Sequence, residues 1–232
     1  MLKELSYSIM PSELGCQAAA SCAAGRDLSE REIRTTLLQK FTGGAVVLEE
    51  FTAAGGRLDV LEIYGEKLAG FEIKSDFDSL QRVDAQVASF SQYCDTLTFV
   101  AGRRLALPLL RTLPIWCGVL LAYRAISGKT ILLPLRYPRI NPFVTATASA
   151  SLLRRDELLI KLSGKGRIRA RRRELQDELL AALSFAEVRG CLASTLVLRE
   201  RTRFDELQRS SGDLFPLEAK SKESPCGASG AP

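Results

Sequence analysis

The chain of 232 residues contains no histidine. That absence excludes a Ser-His-Asp or Cys-His nucleophile system, a histidine-ligated zinc and a His-metal finger nuclease, each of which needs an imidazole. Cysteine is present but unpatterned. The six residues, at 16, 22, 94, 117, 191 and 226, form no C-x-x-C and no tight spacing. Neither a zinc site nor a disulfide framework is indicated, and free thiols in a reducing cytoplasm are the simplest reading. Long apolar runs are missing as well. No segment approaches the ~18 uninterrupted apolar residues of a membrane span. The Ala/Cys-rich patch at 16–24, preceded by Lys3, Glu4 and Glu13, is too broken by polar residues for a secretory signal. A cytoplasmic protein without membrane association is expected.

What remains describes a globular chain: 46% hydrophobic and 25% charged, enough to bury a core without staples. The net charge of +5 makes an anionic partner plausible without demanding one. It is unevenly spread. Residues 1–150 carry 16 Lys+Arg against 15 Asp+Glu, whereas 151–232 carry 16 against 12. The excess centres on Arg167, Arg169, Arg171, Arg172 and Arg173. Arginine forks suit phosphates, so this run is a candidate nucleic-acid contact, although charge runs are commonly solvated faces.

Along the chain, residues 1–25 read as a loosely attached N-terminal extension. Ser29 opens a helical pattern through Ile33, Leu37, Leu38 and Phe41, stopped by Gly43-Gly44. Val46–Phe51, Arg57–Tyr64 and Leu68–Lys74 read as a three-stranded meander, with turns at Gly55-Gly56 and Gly65-Glu66-Lys67. A helical face over 79–95 leads into Leu97–Ala101, a strand–helix–strand order that predicts a parallel crossover. Ile115–Ala122 reads as a further strand. Residues 134–151, with three prolines, read as a linker or wrapping segment. Helices are predicted over Leu152–Leu162, Arg171–Leu183 and Ala186–Arg199, the last behind a Ser184-x-x-Glu187 capping box. Residues 210–232 have the composition of a disordered tail. The expected organisation is an α/β domain at 26–150 with a mixed sheet and a basic helical subdomain at 151–209.

The chemistry concentrates in residues 57–74, R-L-D-V-L-E-I-Y-G-E-K-L-A-G-F-E-I-K. Residues two apart on a strand share a face, so Glu72 and Lys74 project together while Ile73 turns away. Counting back from the turn at Gly65 to Lys67 places Asp59 roughly opposite positions 72 to 74. Two carboxylates suit a hard cation that prefers oxygen ligands, and a lysine beside them can orient water and stabilise charge on phosphorus. The bland alternative is a solvated strand face carrying a cross-strand ion pair.

Asp59, the Glu72-Ile73-Lys74 element and the surrounding G-R-L-D-V and G-F-E-I-K-S-D-F-D-S-L-Q-R resemble the PD-(D/E)XK nuclease superfamily. The likeness is to a bacterial branch met among phage and mobile-element proteins. It covers roughly residues 28–145, with the helical region 152–205 also similar. Leu58 stands where the motif's proline is expected. The resemblance implies a restriction-endonuclease-like αβββαβ core, Mg²⁺ or Mn²⁺ dependence and phosphodiester hydrolysis, with DNA preferred over RNA as partner. Asp59, Glu72 and the Ile73 backbone carbonyl would bind the metal, and Lys74 would serve the water. Glu32 on the first helix and Gln86 on the second are accessory candidates. Glu32 has a rival role in a Ser29-x-x-Glu32 capping box, and Tyr93 is a weak transfer of a Q-x-x-x-Y motif that finds Phe90 at its spacing. Two readings from other classes stay open: a catalytically silent nucleic-acid-binding module, and an interaction protein that forms a homodimer or docks a partner through its C-terminal helices.

Overall fold

The computed structural model describes residues 27–41, 44–53, 55–162 and 169–212. The expectations for 1–25, Gly43, Arg167 and 213–232 lie outside these residues. Among the described residues the order is α1 (Glu30–Leu38), β1 (Val46–Ala53), β2 (Gly56–Tyr64), β3 (Lys67–Lys74), α2 (Val83–Phe90) and β4 (Thr96–Ala101). It continues through α3 (Arg103–Thr112), β5 (Gly118–Arg124), β6 (Thr130–Arg136), α4 (Ala146–Ser151), α5 (Arg155–Lys161), α6 (Arg172–Ala182) and α7 (Phe185–Gly212). The strands form one mixed sheet in the order β1-β2-β3-β4-β5-β6. Pairing is antiparallel except at β3–β4 and β4–β5, where the helical crossovers α2 and α3 make it parallel.

Helices cover both faces of the sheet. Ile33 and Leu37 of α1, with Leu28 just before it, pack on Val60, Phe71, Ile73, Val100 and Leu120. The other face buries Leu58, Leu61, Leu97, Phe99 and Val119 against Val83, Phe90, Leu109 and the C-terminal helices through Leu158, Leu175, Leu179, Val188 and Leu192. Arg189 of α7 fastens that helical layer. Its guanidinium donates to Asp95 Oδ2 at 2.5 Å and to the Tyr93 carbonyl at 2.9 Å, while the Leu68 amide donates to the same Asp95 oxygen at 2.8 Å.

Several expectations need correction. The proline-rich stretch from 134 is not a plain linker: Pro134 lies in β6 and Ala146–Ser151 is helical. β6 is a sheet edge, where a residue without an N–H is tolerated. The register shift between Val119 and Leu120 falls beside that proline. Helix α3 was not anticipated, and Pro108 is accommodated inside it. Arg136 then caps its C-terminal end, donating to the carbonyls of Leu110, Leu113 and Pro114. Helix α7 continues to Gly212, past the expected start of the tail. Both sequence-legible capping boxes, Ser29 with Glu32 and Ser184 with Glu187, are formed.

Asp76, which follows β3, joins three segments. Its carboxylate accepts from the Leu28 amide at 3.1 Å and, as a cap for the start of α3, from the Arg104 amide at 2.9 Å. A Cβ added at Gly102 would lie 2.4 Å from Asp76 Oδ1. Because amides on two segments pin that carboxylate, Gly102→Ala is expected to cost roughly 1–3 kcal/mol. A lowered midpoint in thermal denaturation would show it, and an unchanged midpoint would mean that Asp76 yields freely.

Candidate active site

The site begins with a break in strand alternation. Leu48 and Phe51 enter the same core, as do Leu58 and Leu61, although each pair is three residues apart. A regular strand would send them to opposite faces. Glu50 and Asp59 are the one missing pair in an otherwise continuous β1–β2 register, and Glu50 takes φ +54°. On the other side, β2–β3 pairing ends at Val60 with Phe71. Asp59 completes the ladder with its side chain instead: its Oδ2 accepts from the Ile73 amide at 2.7 Å. A strand residue's N–H and C=O leave by the same edge, so the Ile73 carbonyl also faces the Asp59 side.

Glu72 and Lys74 share the face that lies beneath α2. Lys74 Nζ donates to Glu72 Oε1 at 2.9 Å, and Gln86 Nε2 of α2 donates to the same oxygen. Only 3% of Glu72 and 4% of Lys74 is exposed, which removes the solvated-face reading of this E-x-K. Asp59 is half-buried at the seam. Three buried polar atoms are left without a partner here: Glu72 Oε2, Gln86 Oε1 and the Tyr93 hydroxyl. Burial raises the Tyr93 phenol, with Cys94 and then Glu72 adding to the effect. Buried polar atoms are rarely left unbonded, so these three oxygens are available to a ligand or to water.

The electrostatics point the same way. Burial pushes Glu72 up to about 7, the nearby Asp59 charge adding to the effect and Lys74 opposing it. Asp59 is raised as well, by burial, against the Ile73 amide and the Arg34 guanidinium. Between its ordinary 4.5 and about 7, Glu72 holds a proton in the folded chain that the unfolded chain has lost. This group's contribution to stability therefore falls as pH rises through that window. A cation that needs the carboxylate competes with this proton. Any Mn²⁺ bound through Glu72 would therefore be held more tightly at pH 8 than at pH 6, and a flat profile in calorimetry would speak against Glu72 as a ligand.

The donor set fits a hard divalent ion: two carboxylates, a backbone carbonyl on the same edge and an amide oxygen, all oxygen donors. It is a two-acid site. Among the described residues no three or more acidic or cysteine side chains are gathered for a metal. Glu32 is occupied elsewhere, by Ser29 and by Arg124, which together with the cap hold it down at about 2. The α1 side chains that do reach Asp59 were not foreseen. Arg34 donates to the Asp59 carbonyl at 3.0 Å and to Oδ1 at 3.3 Å, and Glu30 pairs with Arg34 at 2.5 Å. Their spacing of four on a helix was the available signal. Of the basic run, Arg169, Arg171, Arg172 and Arg173 are exposed, and Arg172 donates to the carbonyls of Ser151 and Leu153. The buried thiols of Cys94 and Cys117 are raised by desolvation, Cys117 to about 12, and are unsuited to nucleophilic work.

The sequence model for bacteriophage P4 protein cII matches residues 24–214, most of the chain and all of the site. The chain belongs to the bacteriophage P4 cII protein family. The expected phage association is thereby met, while the nuclease likeness is a separate matter that this family's description leaves untouched. No curated protein and no solved structure matched. Among the described residues of this P4 cII family member, no helix is long and apolar enough to cross a membrane.

Proposed function

We propose that the chain is a metal-dependent nuclease built on a restriction-endonuclease-like core, hydrolysing phosphodiester bonds, with DNA preferred over RNA. The single observation that carries this reading is the buried cluster of unpartnered oxygens at Glu72, Gln86 and Tyr93 with the Lys74 ammonium alongside. The element order α1-β1-β2-β3-α2-β4 supports it. Asp59, Glu72 and the Ile73 carbonyl would hold Mg²⁺ or Mn²⁺. Such an ion lowers the pKa of a bound water and offsets charge on a phosphoryl oxygen. Lys74, anchored on Glu72, orients the attacking water and donates to the oxygen on which charge develops. Gln86 fixes Glu72 from above. Arg169, Arg171 and Arg173, which are exposed, would contact phosphates, and the exposed residues 201–209 of α7 would meet a second copy or a partner.

The test is incubation of the purified chain with single- and double-stranded DNA and RNA in Mg²⁺ or Mn²⁺. Cleavage that EDTA stops is the expected outcome. The exposed Arg169, Arg171 and Arg173 leave one rival, a catalytically silent nucleic-acid-binding module. That rival gives salt-sensitive binding, no cleavage and no metal uptake.

A further inference from the structure

Arg34 has no role in the function proposed above, yet it is the most heavily engaged cation near the site. Its side chain is 14% exposed, and four carboxylates lie within ion-pair reach: Glu30 at 2.5 Å, Asp59 at 3.3 Å, Glu50 at 3.7 Å and Glu49 at 3.8 Å. Its other nitrogen donates to the Asp59 carbonyl at 3.0 Å. Both oxygens of Asp59 are therefore in use, Oδ2 by the Ile73 amide and Oδ1 by Arg34, whereas Glu72 keeps Oε2 open. A cation shared by Asp59 and Glu72 and bound at Oδ1 would stand against the guanidinium charge, so the two cations compete for that oxygen.

We propose that Arg34 is a built-in counter-ion of Asp59 that a divalent metal must displace, so that loading the site is an exchange of cations. This rests on Asp59 and Glu72 forming a metal site. Arg34 acts through Asp59 and is a positioning residue: it aims the carboxylate, and it lowers metal affinity. When displaced it stays tethered by Glu30 of α1 and by Glu49 and Glu50 of β1. The same three acids explain how a guanidinium can leave Asp59 without becoming an unpaired buried charge.

Calorimetric titration of Mn²⁺ alone into the full-length wild type, Arg34→Ala and Arg34→Lys tests the exchange. Arg34→Ala is expected to bind Mn²⁺ roughly fivefold to tenfold more tightly, the scale of one partly buried ion pair removed from competition. Arg34→Lys keeps the charge but loses the fork that spans the Asp59 carbonyl and carboxylate, so it also binds more tightly than wild type, by less. It further guards against an alanine variant that fails to fold. If Arg34→Ala binds no more tightly, the exchange is overturned while the metal site stands. If Arg34→Lys matches wild type, a long-range field rather than contact is at work, and the exchange is again overturned. No Mn²⁺ uptake by wild type would remove the metal site and this inference together.

Discussion

Replacing Lys74 by methionine is expected to lower Mg²⁺-dependent phosphodiester cleavage about a thousandfold or more while the chain stays folded, the scale seen when an electrostatic stabiliser is deleted from an active site. Two effects combine. The ammonium that would face the scissile phosphate is lost, and Glu72 loses the cation opposing its upward shift, so more of it is protonated at neutral pH. The fold survives because methionine fills the buried volume of the lysine stem, and Glu72 answers the loss by taking a proton instead of remaining a buried charge. Glu72→Gln should be equally inactive for the complementary reason that it removes a metal ligand. Cleavage within tenfold of wild type in Lys74→Met, with an intact far-ultraviolet spectrum, would show that the lysine serves the fold and not the chemistry.

The largest expected stability loss comes from the C-terminal helical layer, which packs on the same sheet face as α2. Arg189→Ala strips the nearer cation from Asp95, which is 16% exposed, leaving Lys67 at 4.0 Å, and deprives the Tyr93 carbonyl and Ser149 hydroxyl of their guanidinium donor. Breaking a buried pair by removing one partner costs roughly 3–5 kcal/mol, and the lower end applies because Asp95 keeps the Leu68 amide. For a domain of this size that is about 6–12 °C in the thermal midpoint. Arg189 also joins α7 to the start of β3 and the end of α2, so the variant should expose α7 to proteolysis before the sheet. Loss of less than about 1 kcal/mol, the worth of a surface pair, would mean that the apolar contacts of Val188 and Leu192 alone seat the helix.

The meander and the E-x-K were legible because they depend on local periodicity. Alternation put Glu72 and Lys74 on one face, and counting from the turn brought Asp59 to them. The way Asp59 arrives was not legible. The alternation breaks at Glu50 and Asp59, and the carboxylate replaces a backbone partner for Ile73, a contact that no period encodes. Arg34 was hidden for a similar reason. Its pairing with Glu30 is an ordinary helix motif, while its bond to Asp59 spans 25 residues. Proline misled at Pro134 on the edge strand, and Pro108 is accommodated inside α3, because position in the fold and not composition decides its cost. Charge counting likewise could not foresee that Arg172, exposed like its neighbours, is spent on the carbonyls at the end of α4.

The most direct test is Mn²⁺ binding by isothermal titration at pH 8, above the value near 7 at which Glu72 loses its proton. Wild type and Glu72→Gln would be compared under identical conditions. The expected result is saturable uptake by wild type, and loss of most of that affinity in the amide variant. Equal binding by both, or none by wild type, would contradict the assignment of Asp59 and Glu72 as a metal site.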